Sequence, residues 1–182
     1  MRDDILATAL TLADHSSWEQ LGLQQIAAAL GISLADIYPH YRSKDELVDA
    51  WFDRADKAML SALITPELPP ASRIEQALSC WLSELSPYHK VTGQMLLYKL
   101  EPGHIHLQVA GVLRISRTVQ WLREAARLQA RGIARIGQEI ALSSVFVAVF
   151  IYWLNDNSQA QQRSLALLKH KLQLGNRFGL WH

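Results

Sequence analysis

Residues 23–47 read LQQIAAALGISLADIYPHYRSKDEL, and this stretch decides the fold. Its first part has the apolar spacing of a short helix, and Gly31 then supplies the permissive backbone that a sharp turn requires. Ser33 and Asp36 have the spacing of a capping box, which predicts that a second helix begins at Leu34. Two short helices joined by a glycine turn form a helix-turn-helix, a unit that places its second helix in a DNA major groove.

The same residues carry a resemblance to a known family. The pattern is Ile26-Ala27, Leu30-Gly31-Ile32-Ser33, Ile37-Tyr38, His40-Tyr41, Ser43-Lys44 and Leu47. With it, about the first 60 residues resemble the TetR family of transcriptional regulators. The resemblance implies an all-helical homodimer whose N-terminal domain binds operator DNA and whose C-terminal domain binds a small effector.

The candidate DNA contacts lie in the second helix of the motif and just after it. Pro39 has no amide hydrogen, so this helix is expected to end or kink near Tyr38. Lys44 is assigned to a backbone phosphate, because free amides at the start of the following helix also attract phosphate. For Tyr38 and Tyr41 the alternative is that their rings pack in the core of the small domain. The candidate contacts are Ser33, Leu34, Ala35, Asp36, Tyr38, His40, Tyr41 and Lys44.

The charge of the N-terminal region is unusual for a DNA-binding domain. Residues 1–60 contain five basic and ten acidic residues, a net charge of −5, and the remainder of the chain carries +6. Non-specific DNA affinity comes mostly from neutralising phosphates, so an acidic reading domain is unexpected. Four of the acids recur at helical spacing opposite an apolar stripe, which predicts that they face solvent, away from core and DNA. They are Asp45, Asp49, Asp53 and Asp56.

Composition and chain order predict an all-α protein of two domains. The 182 residues are 49% hydrophobic and 19% charged, which is ordinary for a soluble globular protein. The sequence TPELPP at residues 65–70 breaks the fourth helix and is a candidate hinge. We therefore expect a three-helix helix-turn-helix domain, including the start of the connecting helix, at residues 1–62, and a larger helical effector-binding and dimerisation domain at residues 63–182. Acids near the N-terminus disfavour a secretory signal, so a cytoplasmic location is expected.

The C-terminal half contains the candidate dimer and effector elements. Residues 140–154 are apolar except for Ser143 and Ser144, and fifteen residues are too few to cross a bilayer, so this helix is expected to be buried in the domain and in a dimer. In the resembling family the last two helices pair with their mates. Aromatic residues suggest a largely apolar ligand, although core packing is the alternative for each. These are Trp81, Tyr88, Tyr98, Trp121, Phe146 and Phe150.

Two features of the C-terminal half allow another function. Residues 105–131 are rich in arginine, which is typical of a solvated helix face and also of a membrane-surface helix. The sequence YWLNDNS at residues 152–158 resembles the C-terminal region of the ubiquinone-biosynthesis accessory proteins, which have a TetR-like fold and bind lipid. The alternative to a regulator is therefore a lipid- or isoprenoid-binding accessory protein without DNA-binding activity, with a membrane surface as partner.

The sequence has few features that are typical of an enzyme. It contains neither a glycine-rich phosphate loop nor a cluster of residues at metal-ligand spacing, and its acids after residue 60 are widely scattered. We therefore expect no catalytic activity, no metal and no cofactor.

Overall fold

The computed structural model describes residues 1–99 and 105–181, and the secondary structure in these ranges is helical. The all-α prediction is confirmed. Short 3-10 turns at Ser86–Tyr88 and Gln159–Gln161 precede two of the helices. In chain order the helices are α1 (Arg2–His15), α2 (Leu23–Leu30), α3 (Leu34–Ile37), α4 (Lys44–Ser61), α5 (Pro70–Leu85), α6 (His89–Lys99), α7 (Ile105–Ala125), α8 (Gly132–Trp153) and α9 (Gln162–Arg177).

The chain packs as two units, which differ from the two domains expected from the sequence. The first unit contains Met1–Arg54 and Leu85–Gln108, and the second contains Ala55–Glu84 and Val109–His182. Helix α4 therefore has residues in both units, whereas the expected boundary lay after its end, at residue 62. The expected hinge at residues 65–70 lies inside the second unit.

The first unit has a core of aromatic and aliphatic side chains from α1 to α4 and α6. Trp18, Trp51 and Leu47 are fully buried there. The indole Nε1 of Trp51 donates to Thr92 Oγ1 at 2.9 Å, and the backbone amide of Trp18 donates to Gln94 Oε1 at 2.7 Å. Both acceptors belong to α6, so this late helix completes the polar contacts of the N-terminal core.

Acidic residues of α4 are held by cations instead of facing solvent as expected. In the first unit, Lys99 Nζ lies 2.6 Å from Asp45 Oδ1 and 3.0 Å from Asp49 Oδ1. In the second unit, Asp56 is only 7% exposed and pairs with Arg114 at 2.9 Å. The expectation that these acids face solvent is wrong for Asp56, which is buried. Of the four acids, only Asp53 is classed as exposed, because cations from later helices lie against the acidic face of α4.

Asp56 is the centre of a buried polar cluster in the second unit. Its Oδ1 accepts hydrogen bonds from Trp81 Nε1 at 2.8 Å and Thr118 Oγ1 at 3.0 Å, while Oδ2 accepts from Arg114 Nη2 at 2.9 Å. These partners come from α5 and α7. We name the four residues Asp56, Trp81, Arg114 and Thr118 the Asp56 cluster. A carboxylate can remain charged in such a buried place because its oxygens are hydrogen-bonded and paired.

Two arginines of α7 depart from the expected solvated or membrane-facing basic surface of residues 105–131, whereas Arg117, Arg127 and Arg131 are exposed. Arg114 and Arg123 are both buried, at 8% and 4% exposure. The guanidinium of Arg123 donates to Gln138 Oε1 at 3.2 Å and to Glu139 Oε1 at 3.1 Å. These two arginines serve ion pairs inside the unit.

The connection between α4 and α5 is held by Arg73. Its Nη1 donates to the carbonyl oxygens of Pro66 and Leu68 at 3.0 and 3.1 Å, and its Nε donates to the Ala126 carbonyl at 2.8 Å. One guanidinium therefore fixes the segment expected to be a hinge onto the end of α7.

Helix α8 is longer than the apolar stretch from which it was expected. It spans 22 residues, and among the described residues it alone is long and apolar enough to cross a membrane by length and composition. Helix α8 is therefore long enough for a bilayer, and the expectation from residues 140–154 that it is too short is wrong. One face, including Leu142, Val149 and Trp153, is buried inside the unit, and 39% of the apolar window is buried in all.

The tail motif at residues 152–158 caps α9. Asp156 Oδ2 accepts from the amide and the hydroxyl of Ser164 at 2.8 and 2.6 Å, and Oδ1 accepts from the Ser158 amide at 3.0 Å. Trp153 Nε1 donates to Gln161 Oε1 at 2.7 Å. These contacts satisfy amide groups that a helix start leaves open, and they give the motif a structural role in this chain.

We predict that Asp156 makes stability depend on acid. Burial alone raises the pKa of Asp156, but the hydrogen bonds from Ser164 and Ser158 outweigh burial and hold the pKa well below its ordinary value. The carboxylate stabilises the fold above the unfolded-state pKa of about 3.9, and this stability is lost as pH falls. Asp156→Asn is expected to cost roughly 1–3 kcal/mol at pH 7.

Urea unfolding of wild type and Asp156→Asn should therefore give curves that approach each other below about pH 4. The control is Asp14→Asn, at an exposed position of α1. A gap between wild type and Asp156→Asn that stays constant from pH 7 to strong acid would contradict the assignment.

Candidate nucleic-acid interface

The turn of the helix-turn-helix is built on Gly31. Its φ of 67° is in the left-handed region, where a residue without Cβ is favoured. The amide of Gly31 donates to the Ala28 carbonyl at 3.2 Å, and the amide of Ile32 donates to the Ala27 carbonyl at 3.0 Å. These bonds close the end of α2 and turn the chain towards α3, as expected from the sequence.

The capping box at the start of α3 is present. The Ser33 amide donates to Asp36 Oδ2 at 2.9 Å, and the Asp36 amide donates to Ser33 Oγ at 3.3 Å. The Ser33 hydroxyl also donates to Asp36 Oδ2 at 2.7 Å. The hydrogen bonds from Ser33 lower the pKa of Asp36, so the carboxylate is charged and committed to the cap at neutral pH.

The outer face of α3 is open to solvent. Ser33, Leu34, Ala35 and Asp36 are exposed, whereas Ile37 is buried. The Tyr38 side chain is 62% exposed, so its ring is a surface group and not part of the core. His40 is half-buried, and its amide donates to the Ile37 carbonyl at 2.9 Å.

Tyr41 is a core residue, which corrects its place among the candidate contacts. The side chain is 1% exposed, and its hydroxyl donates to the Arg2 carbonyl at 3.3 Å. The guanidinium of Arg2 lies 5.2 Å from the ring centroid. Burial raises the pKa of the Tyr41 hydroxyl. A ring enclosed in this way joins α1 to the end of the motif and is not available to a DNA groove.

Lys44 lies at the start of α4, and its side chain contacts other residues of the first unit. Its Nζ donates to the Glu19 carbonyl at 3.2 Å and lies 5.1 Å from the Trp18 ring and 5.4 Å from the Tyr98 ring. Burial lowers the pKa of the Lys44 ammonium. Cation–π contacts of this kind stabilise the charge, so in this structure Lys44 connects α4 to the segment before α2.

The six aromatic residues expected to line an effector pocket fall into separate places. Trp81, Phe146 and Phe150 are buried together in the second unit, with the two phenylalanine centroids 5.1 and 5.2 Å from the Trp81 ring. Trp121 is 45% exposed. The remaining two, Tyr88 and Tyr98, belong to the first unit.

Tyr88 and Tyr98 contact residues of α1 and α4. The Tyr88 hydroxyl is 3.3 Å from Thr11 Oγ1, and its ring meets the edge of Trp51. Tyr98 contacts Lys44 as described above. Only Trp81, Phe146 and Phe150 therefore form a cluster of the kind expected around an apolar ligand.

A surface cavity of about 540 Å³ lies in the second unit. None of the six aromatic residues lines it. Its walls are residues 62–64 of the connection after α4, together with Ser72, Glu75, Gln76, Ser79 and Cys80 of α5. In the described part of the chain, no group of three or more His, Cys, Asp or Glu side chains is arranged to hold a metal ion.

Sequence reasoning missed the Asp56 cluster and the role of Lys99. The partners of Asp56 lie 25 to 62 positions further along the chain, and Lys99 lies 50 positions from Asp49. No local pattern brings such residues together. The only indication in the sequence was that Asp56 lies next to the apolar stripe of α4. An acidic residue in that position is also typical of a solvated helix face.

The glycine turn, the capped short helix and its exposed face define a helix-turn-helix protein. The family model for bacterial regulatory proteins of the tetR family matches residues 5–51. The structure is similar to a TetR transcriptional regulator from Nitrosomonas europaea ATCC 19718, with 41% sequence identity and a TM-score of 0.86, over 97% of this chain and 98% of that chain. The chain belongs to the TetR family of transcriptional regulators.

Two more distant structures share the fold. A TetR transcriptional regulator from Rhodococcus sp. RHA1 has 17% identity and a TM-score of 0.68, over 94% of this chain and 92% of that chain. The TetR family transcriptional regulator PfmR from Thermus thermophilus has 19% identity and a TM-score of 0.58, over 93% and 97% of the two chains. No protein of curated function matches this chain.

Proposed function

We propose that this protein acts in the cytoplasm as a homodimeric repressor that leaves its operator when a small, largely apolar ligand binds the C-terminal helices. The observation that carries the DNA-binding part is the exposed face of α3, held by the Gly31 turn and the Ser33–Asp36 cap. Leu34 and Tyr38 are 44% and 62% exposed on this face, where side chains of a reading helix must be to enter a groove.

The acidic charge of the N-terminal region is compatible with this proposal. Lys99 is placed against Asp45 and Asp49 within the first unit, and Arg114 against Asp56 within the second. Two cations from later helices therefore offset two of the three negative charges that these acids carry on α4, so the net charge of residues 1–60 overstates the repulsion that a phosphate backbone experiences.

The dimer is proposed to form through α8 and α9. On α8, Ile133, Ile136, Ile140 and Ile151 follow helical spacing and are 88%, 58%, 63% and 54% exposed. Contiguous exposed apolar residues mark interaction sites on soluble proteins. On α9 and its end, Leu174 and Phe178 are also exposed. A second copy of the chain would cover these side chains, as in the pairing implied by the TetR resemblance.

The effector is proposed to enter beside Trp81. The indole of Trp81 contacts the rings of Phe146 and Phe150, and its Nε1 donates to Asp56. Trp81 therefore belongs to both the aromatic cluster and the Asp56 cluster. A ligand that separates the rings would also disturb the hydrogen bond to Asp56 on α4, the helix that begins at Lys44. To release DNA, the ligand must bind the non-DNA state more tightly than the DNA-bound state. Mass spectrometry of apolar compounds that co-purify with the protein tests this step.

The DNA-binding step is tested with sheared genomic DNA from the source organism. The proposal expects retention of a palindromic fragment, with an affinity that falls steeply as salt concentration rises. The proposal would be wrong if no fragment is retained at low salt while the protein binds anionic liposomes and co-purifies with isoprenoid or acyl lipid. That combination would support the lipid-binding accessory protein instead.

Lys44 gives a prediction that separates phosphate binding from structural support. Lys44→Met keeps an apolar stem against Trp18 and Tyr98 but removes the charge. If the ammonium reaches a phosphate in the complex, affinity should fall about equally for all DNA sequences, and the slope of log affinity against log salt should decrease by about 1 per subunit. Fluorescence anisotropy over a salt series measures both quantities.

The control for Lys44→Met is Lys57→Met, at an exposed lysine of the same helix. It should leave the salt slope at the wild-type value. A lower unfolding temperature for Lys44→Met with an unchanged salt slope would show that Lys44 only connects α4 to Glu19.

A further inference from the structure

The exposed face of α3 is apolar. Tyr38 lies four residues after Leu34 and three residues after Ala35, so each of these two residues shares a side of the helix with Tyr38. All three are exposed, and the backbone of Tyr38 continues the right-handed helical conformation with φ −54° and ψ −38°. We name these three residues the reading face.

The side chains that read most base edges by hydrogen bonds are missing from α3 and its cap. Guanine is read mainly by arginine or lysine, and adenine by asparagine or glutamine. Residues 33–38, SLADIY, contain none of these four residue types. Specific recognition of a purine by a bidentate pair is therefore not available to this helix.

Beside the Tyr38 hydroxyl, the polar side chains of this segment are Ser33 and Asp36, and these two are hydrogen-bonded to each other. Cytosine presents an amino group that a carboxylate can accept from, and Asp36 is the one acid in this segment. Its Oδ2 already accepts from the amide and the hydroxyl of Ser33, at 2.9 and 2.7 Å. A rotation that moves Oδ2 of Asp36 towards a base would break the cap that starts α3, and the Ser33 hydroxyl already donates its proton to the same oxygen.

We propose that the reading face of this regulator recognises the C5 methyl groups of thymine, with Leu34 and Tyr38 as the specificity-determining side chains. Thymine is the base whose major-groove edge carries an apolar group, and apolar side chains contact it. This inference rests on the proposed DNA-binding function. It specifies an operator whose half-sites carry thymines at the positions facing α3.

The test begins with the full-length protein and a pool of synthetic duplexes with a random core. The duplexes retained by the protein are sequenced, and the recurrent thymines in one of them are then replaced singly by uracil. Uracil keeps the hydrogen-bonding edge and lacks only the methyl group. Each methyl removed from the reading face is expected to weaken binding about fourfold, and matched changes in both half-sites roughly 15-fold. Uracil outside the half-sites should have no effect.

Leu34→Ala identifies the side chain that makes the contact. At the thymine facing Leu34, the variant should bind thymine and uracil duplexes equally, while wild type prefers thymine. The matched control is Leu60→Ala, because Leu60 is 43% exposed against 44% for Leu34 and lies at the far end of α4. It should keep the wild-type preference.

Two results would overturn the inference, and they differ in what they say about the proposed function. DNA binding that is insensitive to uracil at every recurrent thymine, or selected half-sites without recurrent thymine, would remove thymine readout and leave the regulator intact. Failure to retain any duplex from the pool at low salt would remove both.

Discussion

Asp56→Ala is expected to lower the free energy of unfolding by roughly 3–5 kcal/mol, because it removes the carboxylate that pairs with the buried guanidinium of Arg114. The indole of Trp81 and the hydroxyl of Thr118 lose their acceptor in the same change. Chemical denaturation followed by circular dichroism measures the loss. The control is Asp14→Ala, since Asp14 is exposed on α1 and the change there should stay within about 0.5 kcal/mol.

A double variant distinguishes loss of the pair from loss of packing. Arg114→Met alone should also be destabilising, because it leaves the Asp56 carboxylate buried without a cation. The double variant Asp56→Ala, Arg114→Met should lose clearly less than the sum of the two single losses, since both charges are gone. Additive losses, or a cost below about 1 kcal/mol for Asp56→Ala, would show that the Asp56 cluster does not act as a unit.

Ile140→Arg is expected to convert the proposed dimer into a folded monomer. Ile140 is 63% exposed, so an arginine there meets solvent in the monomer and is buried only in a dimer. A central interface residue costs at least about 2 kcal/mol when disrupted, or roughly 30-fold in the dissociation constant. Sedimentation velocity over a concentration series measures the shift.

Leu113→Arg is the matched control for Ile140→Arg. Leu113 is 65% exposed but belongs to α7 and not to the two helices of the proposed interface. It should leave the association state unchanged, and circular dichroism should show native helix content for both variants. A wild-type protein that sediments as a monomer at micromolar concentration, or an Ile140→Arg variant that associates like wild type, would contradict the proposed interface.

Local signals in the sequence predicted the reading motif well. The Gly31 turn and the Ser33–Asp36 cap involve residues no more than five positions apart, and their backbone requirements can be read from residue type alone. The end of α3 before Pro39 follows from the missing amide in the same way. Physical rules that act over one helical turn were sufficient for these features.

Features that depend on distant partners could not be predicted. A tyrosine such as Tyr41 has the same local pattern whether its ring meets DNA or the Arg2 carbonyl, and only the packing of α1 decides between them. For Asp56, helical spacing placed the carboxylate beside the apolar stripe of α4. That local pattern contains no information on the donors, which come from α5 and α7. The extent of α8 was underestimated because its first turns mix apolar residues with Arg135 and Glu139, which pair with each other.

The role of α6 in the first unit has a consequence for fragments and chimeric regulators. A DNA-reading fragment cut after residue 62 would omit Thr92, Gln94 and Lys99, which supply polar partners to Trp51, Trp18 and the acids of α4. The reading module of this protein is therefore discontinuous along the gene. To transplant its DNA specificity onto another sensor, residues 85–108 would have to travel with residues 1–54.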